Sequence, residues 1–199
     1  MSTAAASLHS ERVCVIGLGL IGSSIARGVR AHMSGVRLTG YDADPQVRET
    51  AKAIGLCDDV ADSAGAAVTD ADLVILCVTG TPQVESVLFD EGGVLEGLKP
   101  GQIVVDCSTA IPSSTQAIDA RVREAGGRFV DAAMTRTPKE AAEGRLNLIV
   151  GADQALFDEL KPLFGAFAEH ITHGGPVGAG HTLKLLHNFV SLGFTAVLA

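Results

Sequence analysis

Short apolar runs alternate with helix-like segments along most of the chain. The runs are rich in β-branched residues and predict strands at 13–17, 36–42, 73–79, 103–108, 128–134 and 146–151. Several of them are apolar on both faces, as strands of a covered parallel sheet are. The segments between them predict helices at 20–33, 45–54, 82–89, 112–126 and 153–165. This order predicts an α/β fold with a doubly wound sheet.

The pattern changes after residues 174–176, Gly-Gly-Pro, where one long apolar helix is predicted to run to the end of the chain. Polar side chains follow this helix at steps of three and four, so they share one face. They are His181, Lys184, Asn188, Ser191 and Thr195. A polar face on an apolar helix is costly unless it meets polar groups. It therefore predicts either a ligand site or a polar contact between packed helices.

Composition narrows the class of protein. The chain has 199 residues, one Tyr and no Trp, so its core must be aliphatic. A net charge of −8 argues against a nucleic-acid partner, which needs clustered Lys and Arg. The longest uncharged stretch, 185–199, is shorter than the ~20 residues of a membrane span, and the N-terminus lacks a secretory pattern. We expect a cytoplasmic protein that binds no membrane, with its cysteines as small buried hydrophobic residues.

A glycine motif follows the first predicted strand and opens the first predicted helix. It consists of Gly17, Leu18, Gly19, Leu20, Ile21 and Gly22. In this context the three glycines allow a tight turn, close approach of a pyrophosphate, and close packing of helix on strand. The phosphates would bind amide hydrogens at the helix N-terminus. The motif predicts a dinucleotide site.

Asp42 ends the second predicted strand, 25 positions after Gly17. A carboxylate there accepts hydrogen bonds from the adenosine ribose hydroxyls and repels a 2′-phosphate, which favours NAD over NADP. The alternative is that Asp42 only caps a helix or turn before Asp44-Pro45.

Three later stretches bear a family resemblance: DCSTAIP (106–112), VDAAMTRTPKEAAEGRL (130–146) and GPVGAGHTLKLLHN (175–188). Together they resemble the β-hydroxyacid dehydrogenases. The opening GLGLIGSSIARG is also similar to prephenate dehydrogenase, but the GxxGxGxxxKxxxN pattern from Gly175 to Asn188 favours the hydroxyacid family. The resemblance implies a Rossmann-type domain at 12–174 after a tail at 1–11. Residues 175–199 would begin the long helix that leads, in that family, into an all-helical second domain absent from this chain.

The resemblance also implies roles for individual residues. The glycine motif would hold the pyrophosphate, and Cys77, Val78 and Thr109 would contact the rest of the cofactor. Lys184 matches the catalytic lysine, and Asn188 matches the asparagine that orients the substrate. The other expected substrate-binding residues are Ser108, Thr135, which stands where the family has a serine, and Arg136.

The stretch Thr135-Arg136-Thr137-Pro138 departs from the family pattern, which has two glycines after the serine. One interpretation is that Arg136 clamps a second anionic group on the substrate. The other is that it points to solvent or pairs with Glu140.

The implied function is NAD-dependent hydride transfer between the nicotinamide and a small, anionic 3-hydroxy acid or its semialdehyde. An imine reductase-like enzyme is the first alternative, although such enzymes typically lack the lysine at position 184. A dinucleotide-binding module without turnover is the second.

His170 and His173 have no third ligand, so no metal is expected. The apolar last helix predicts a homodimer or larger homo-oligomer.

Overall fold

The computed structural model describes residues 11–198, which form one eight-stranded sheet with helices on both faces. The strands are β1 (Arg12–Ile16), β2 (Arg37–Tyr41), β3 (Asp59–Val60), β4 (Leu73–Leu76), β5 (Ile103–Asp106), β6 (Arg128–Thr135), β7 (Leu146–Gly151) and β8 (Ala168–Gly175). The helices are α1 (Leu20–His32), α2 (Pro45–Ala53), α3 (Ala64–Val68), α4 (Thr81–Phe89), α5 (Val94–Gly97), α6 (Pro112–Glu124), α7 (Pro138–Ala142), α8 (Gln154–Phe164) and α9 (Ala179–Leu198). All but the last residue of the predicted tail, 1–11, lies outside the described residues.

The strand order is β3-β2-β1-β4-β5-β6-β7-β8, and the strands from β3 to β6 are parallel. The chain therefore winds outward from β1 in one direction and from β4 in the other. This confirms the predicted doubly wound, Rossmann-type α/β fold. In such sheets a crevice opens at the carboxyl ends of the strands where the winding reverses, here between β1 and β4.

Strand β7 departs from the predicted parallel sheet. It runs antiparallel to β6, with Met134 opposite Leu148, while β8 is parallel to β7. A parallel crossover needs a dozen or more residues, usually with a full helix. The connection from Thr135 to Leu146 contains only the five-residue α7, so the chain turns back instead.

The sheet buries a separate core on each face, and both cores are mainly aliphatic with a few phenylalanines. Val13 and Val15 of β1 point into the core under α1, α2 and α8, and Cys14 and Ile16 point into the core under α3, α4 and α6. β4 and β5 are buried along their whole length. Continuous apolar runs are therefore what these central strands require, as the sequence pattern predicted.

Helix α9 packs its first turns against β6, β7, β8 and α6, and its remainder extends beyond the sheet. Phe189 is 77% exposed and Leu186 54%, because no other part of residues 11–198 covers them. The expectation that this helix is buried on most of its faces is therefore not met by the described residues alone. Within the same residues, no helix has the length and hydropathy to cross a membrane.

Candidate active site

The glycine motif forms the turn between β1 and α1, and two of its glycines are required by the protein's own packing. Gly17 has a φ of 91°, and a Cβ there would lie 2.2 Å from the Cys77 carbonyl oxygen. A Cβ on Gly22 would lie 1.8 Å from the Gly17 carbonyl oxygen. Helix α1 therefore packs closely on strand β1, as the motif predicted.

Gly19 differs from the other two glycines because a Cβ there would have no atom within 4 Å among the described residues. It is the N-cap of α1, and it has no side chain with which to cap the helix. The amide groups of the first turn therefore remain available to an anion, in a place with room for one. This cradle fits the pyrophosphate of a dinucleotide.

The cradle opens into a cleft of about 860 Å³ at the carboxyl ends of β1 and β4. The cleft brings together most of the residues predicted to hold the cofactor. They are Gly17, Gly19, Leu20, Ile21, Gly22, Asp42, Cys77, Val78 and Thr109, and Ser108, predicted to bind the substrate, lines the cleft as well. These residues come from four separate strand ends, which meet only in the folded sheet.

The Leu18 amide is not available to a pyrophosphate, although the motif predicted that it would be. The Leu18 side chain is 4% exposed and packs in the core. Its amide donates to Asp42 Oδ2 at 2.8 Å and is therefore not free for a phosphate. The Asp42 Oδ1 accepts from the Asp44 amide at 2.9 Å. Asp42 thus fixes the glycine turn and also lines the cleft, so the structural and ligand-binding interpretations of this residue are compatible.

The cleft is lined by carboxylates that follow β2 and α4. Asp42, Asp90 and Glu91 line it, and the Ser86 hydroxyl donates to Asp90. Among the described residues that line the cleft there is no Lys, Arg or His. A ligand carrying an extra phosphate near Asp42 would meet this carboxylate, and also Arg48, whose guanidinium donates to the Asp42 carbonyl oxygen at 2.7 Å.

Two cysteines line the cleft without being activated. Burial raises the pKa of the Cys77 thiol to about 12 and also raises that of Cys107. Cys14, Cys57 and Cys107 are buried. Thiols with raised pKa values are poor nucleophiles, so these residues serve as small hydrophobic groups, as expected.

Ser108 joins the cleft to α9. The Val78 amide donates to Ser108 Oγ at 3.0 Å, and His181 Nε2 lies 3.2 Å from the Ser108 carbonyl oxygen. Because a carbonyl oxygen only accepts, Nε2 carries a proton and donates. The first turn of α9 therefore abuts the end of the cleft formed by Ser108 and Thr109.

His181 belongs to the polar face of α9, for which the sequence predicted either a ligand site or a polar contact between packed helices, and at this residue the structure shows the polar contact. Its side chain is 0% exposed and lies in the protein interior, with Nδ1 2.8 Å from Thr115 Oγ1. The helical spacing placed His181 and Lys184 on one face correctly. It could not show that this face is covered by α6 at the first turn and opens only at the second.

Lys184 lies one turn beyond His181 and is half-buried, as is Asn188. Partial burial lowers the pKa of Lys184, because a charged amine loses hydration there. Thr135, also half-buried, ends β6 opposite Asn147. None of Lys184, Asn188 and Thr135 lines the cofactor cleft itself, although Met134, next to Thr135, and Pro138, at the start of α7, do.

Arg136 follows neither interpretation made from the sequence. Its guanidinium pairs with Glu169 and donates to the Arg145 carbonyl oxygen at 2.8 Å, so it holds the β6–α7 turn to β8. The expected partner, Glu140, instead completes the capping box of α7 with Thr137. Arg136 also has a φ of 85°, a conformation that favours the glycine found here in the family. The structure thus gives no support to a second-anion clamp.

Sequence reasoning missed Asp131, a buried carboxylate in the middle of β6. It accepts hydrogen bonds from two amides at the start of α9. The available signal was an acidic residue in the middle of the otherwise apolar run 129–134, FVDAAM. A buried charge needs partners, but the sequence did not indicate which ones.

The His170 and His173 pair forms no metal centre in the structure. His173 Nε2 lies 2.8 Å from the Ala152 carbonyl oxygen, and its ring stacks on Phe157. Across residues 11–198, no three His, Cys, Asp or Glu side chains are gathered as metal ligands would be.

Comparison with known proteins agrees with this geometry. Residues 12–175 match the family described as the NAD binding domain of 6-phosphogluconate dehydrogenase. The NAD-dependent L-serine dehydrogenase of Pseudomonas aeruginosa is 34% identical over 178 residues, covering 89% of this chain and 58% of the relative. The 2-hydroxy-3-oxopropionate reductase of Escherichia coli is 33% identical over 177 residues, covering 88% and 58%. The chain belongs to the β-hydroxyacid dehydrogenase family.

A solved structure of this family superimposes well. It is the 3-hydroxyisobutyrate dehydrogenase of Mycobacterium tuberculosis with L-serine, at a TM-score of 0.83 and 27% identity, covering 90% of this chain and 60% of that one. The chain thus spans about three fifths of the length of the relatives it matches. The shared region is the nicotinamide-dinucleotide-binding domain and the start of the helix that follows it.

Proposed function

We propose that this protein acts as an NAD-dependent oxidoreductase of small 3-hydroxy acids or their semialdehydes. Family membership supports the reaction class, and the glycine cradle fits the cofactor. The observation that carries the proposal is the position of α9. His181 ties the first turn of this helix to Ser108 at the end of the cofactor cleft, and Lys184 follows one turn later.

Bound NAD would supply the hydride acceptor, and NADH the donor. The chain's own residues would handle the proton and the orientation. Lys184 would take the proton of the substrate hydroxyl during oxidation and return it during reduction. Its lowered pKa suits this role, because more of the amine is neutral near physiological pH. Asn188 would position the substrate oxygen, and Thr135 would hold the carboxylate.

NAD, not NADP, is the cofactor we propose. A 2′-phosphate on the adenosine ribose would approach Asp42, and Asp90 and Glu91 add negative charge to the same cleft. The lining residues include no cationic side chain, and the guanidinium of the neighbouring Arg48 already donates to the Asp42 and Ala43 carbonyl oxygens. Like charges at a partly solvated site disfavour the complex by about 1–3 kcal/mol.

The test is a panel of 3-hydroxy acids, their semialdehydes and cyclic imines, assayed with NAD(H) and NADP(H) by nicotinamide absorbance. Turnover of a hydroxy acid with NAD that is lost in Lys184→Ala would support the proposal. Turnover of imines alone would favour the imine reductase alternative. Binding of NADH without turnover of any substrate would favour a non-catalytic dinucleotide module.

A further inference from the structure

The N-terminus of α9 is capped by a residue that lies far away in the sequence. Asp131 of β6 is 0% exposed, and its Oδ1 accepts from the Gly178 amide at 2.7 Å. Its Oδ2 accepts from the His181 amide at 2.8 Å. The residue preceding the helix is Gly178, which has no side chain to cap it. Asp131 therefore satisfies the His181 amide, which an N-cap side chain would otherwise satisfy, and also the amide of the residue at the N-cap position.

Two glycines make room for this carboxylate. A Cβ on Gly151 would lie 2.2 Å from Asp131 Oδ1. A Cβ on Gly180 would lie 2.5 Å from the Ile149 carbonyl oxygen and 2.8 Å from Asp131 Oδ2. The helix thus approaches β6 and β7 as closely as backbone allows, and even one added methyl group would displace it.

The same turn of α9 is fixed in a second direction by the His181 ring. Its two nitrogens contact Ser108 and Thr115, and the ring lies between two buried carboxylates. His181 Nδ1 is 3.8 Å from Asp131 Oδ2, and Nε2 is 4.0 Å from Asp106 Oδ2. Ser108 in turn holds the Val78 amide in the cofactor cleft. One buried hydrogen-bonded path therefore connects the cleft to the start of α9.

We propose that Asp131 is a positioning residue for Lys184. By capping α9 from inside the sheet, Asp131 fixes the position and angle at which the helix packs on β6 and β7. It would thereby also fix where the lysine one turn later lies relative to the bound cofactor. This inference rests on the proposed role of Lys184. A displacement of a catalytic group by about 1 Å can lower a rate by ~10²-fold, so the anchor of the helix has a direct effect on turnover.

The first test uses Gly180→Ala, which leaves Asp131 in place but pushes α9 away from it. We expect kcat to fall by about 10- to 100-fold, with the NADH dissociation constant unchanged. Amide hydrogen exchange in the first two turns of α9 should accelerate by about 10-fold or more. The matched control is Gly165→Ala at the exposed end of α8, where the nearest atom would be 3.4 Å away. Equal kcat values in the two variants would overturn the proposal.

The second test separates positioning from helix stability. Asp131→Asn keeps one acceptor oxygen and should lose less activity than Asp131→Ala. Asp153→Ala is the control, because Asp153 caps α8 by the same chemistry, accepting from the Leu156 amide at 2.9 Å. If both aspartate sites lower the melting temperature but only Asp131 variants lower kcat, the positioning role stands. If kcat follows the melting temperature equally at both sites, Asp131 is a structural cap only.

The two hypotheses fail in different ways. Unchanged turnover in Lys184→Ala would refute the proposed function, whatever Asp131 does. If Lys184→Ala is inactive but Gly180→Ala retains full kcat with an accelerated exchange of α9, the lysine is catalytic and Asp131 does not position it. The hydrogen-exchange measurement needs no substrate, so it reports on the anchor independently of activity.

Discussion

Replacing Gly19 by alanine offers a direct test of the cofactor cradle, because the added methyl group meets only empty space. A Cβ there has no described atom within 4 Å, and the φ of −62° is one that alanine adopts without strain. The cost to folding is limited to a poorer N-cap, about 0.5–1 kcal/mol. For a chain of this length that corresponds to a fall in melting temperature of about 1–4 °C.

The effect on cofactor binding should be far larger than the effect on folding. The methyl group would occupy the space through which the pyrophosphate reaches the amides of the first turn of α1. Charge-assisted hydrogen bonds contribute about 1.5–3 kcal/mol each, so the loss of two costs roughly 3–6 kcal/mol. The NADH dissociation constant should therefore rise by about 10²- to 10⁴-fold.

The assay is calorimetric titration with NADH alongside thermal unfolding. Gly165→Ala serves as the neutral control. Gly22→Ala serves as the opposite case, because its Cβ would lie 1.8 Å from a carbonyl oxygen and must disturb the fold as well as binding. If Gly19→Ala folds normally and keeps its NADH affinity within about threefold, the phosphates do not approach this turn and the cradle is misassigned.

The remaining predictions concern the chemistry and the surface. Asp42→Ser should narrow the preference for NADH over NADPH by roughly 5- to 150-fold in competitive titrations, and equal affinities in the unmutated protein would refute the argument. Lys184→Ala should lower kcat by about 10²–10⁴-fold. In the unmutated protein the oxidation rate should rise with pH, with an apparent pKa below the usual lysine value because burial favours the neutral amine, and the variant should lose this rise. Arg136→Gly should be more stable than Arg136→Ala by about 1–2 kcal/mol, because both lose the Glu169 pair but only glycine relieves the positive φ. We expect the exposed part of α9 to be covered in solution by a second subunit or further polypeptide, and a monomer with an ordered α9 in light scattering and hydrogen exchange would contradict this.

The central part of the fold could be predicted because its sequence signals are local. β1, β4 and β5 are apolar on both faces, and the glycine turn has a fixed spacing from the strand before it. The edge of the sheet could not be predicted in the same way. β8 is only partly buried, and His170 and His173 lie in a run that has no continuous apolar character, so periodicity did not distinguish it from a loop. β3 has two residues, and its pairing with β2 depends on the neighbouring strand and not on its own sequence.

That the glycine motif, Asp42 and Cys77 gather at one cleft could be predicted for the same reason, whereas the contacts of Leu18 and Arg136 could not. Leu18 lies within a motif whose amides usually face the ligand, but Asp42 takes its amide from 24 residues away. Arg136 finds Glu169 at a separation of 33 residues, although Glu140 lies only four positions away. Short-range spacing shows which partners are possible, and only the folded sheet shows which of them is used.

His181 shows what helical periodicity can and cannot predict. Steps of three and four place side chains on one face of a helix, but they contain no information about what that face meets. In this protein the polar face of α9 contacts Asp131, Thr115 and Ser108 at its first turn. At its second turn the same face is only half-buried. The buried His181 in the first turn therefore fixes the helix, and the second turn places the half-buried Lys184 amine where a substrate could reach it. A charged residue in a buried strand, together with glycines where a distant helix begins, is the sequence combination that could have indicated such an anchor.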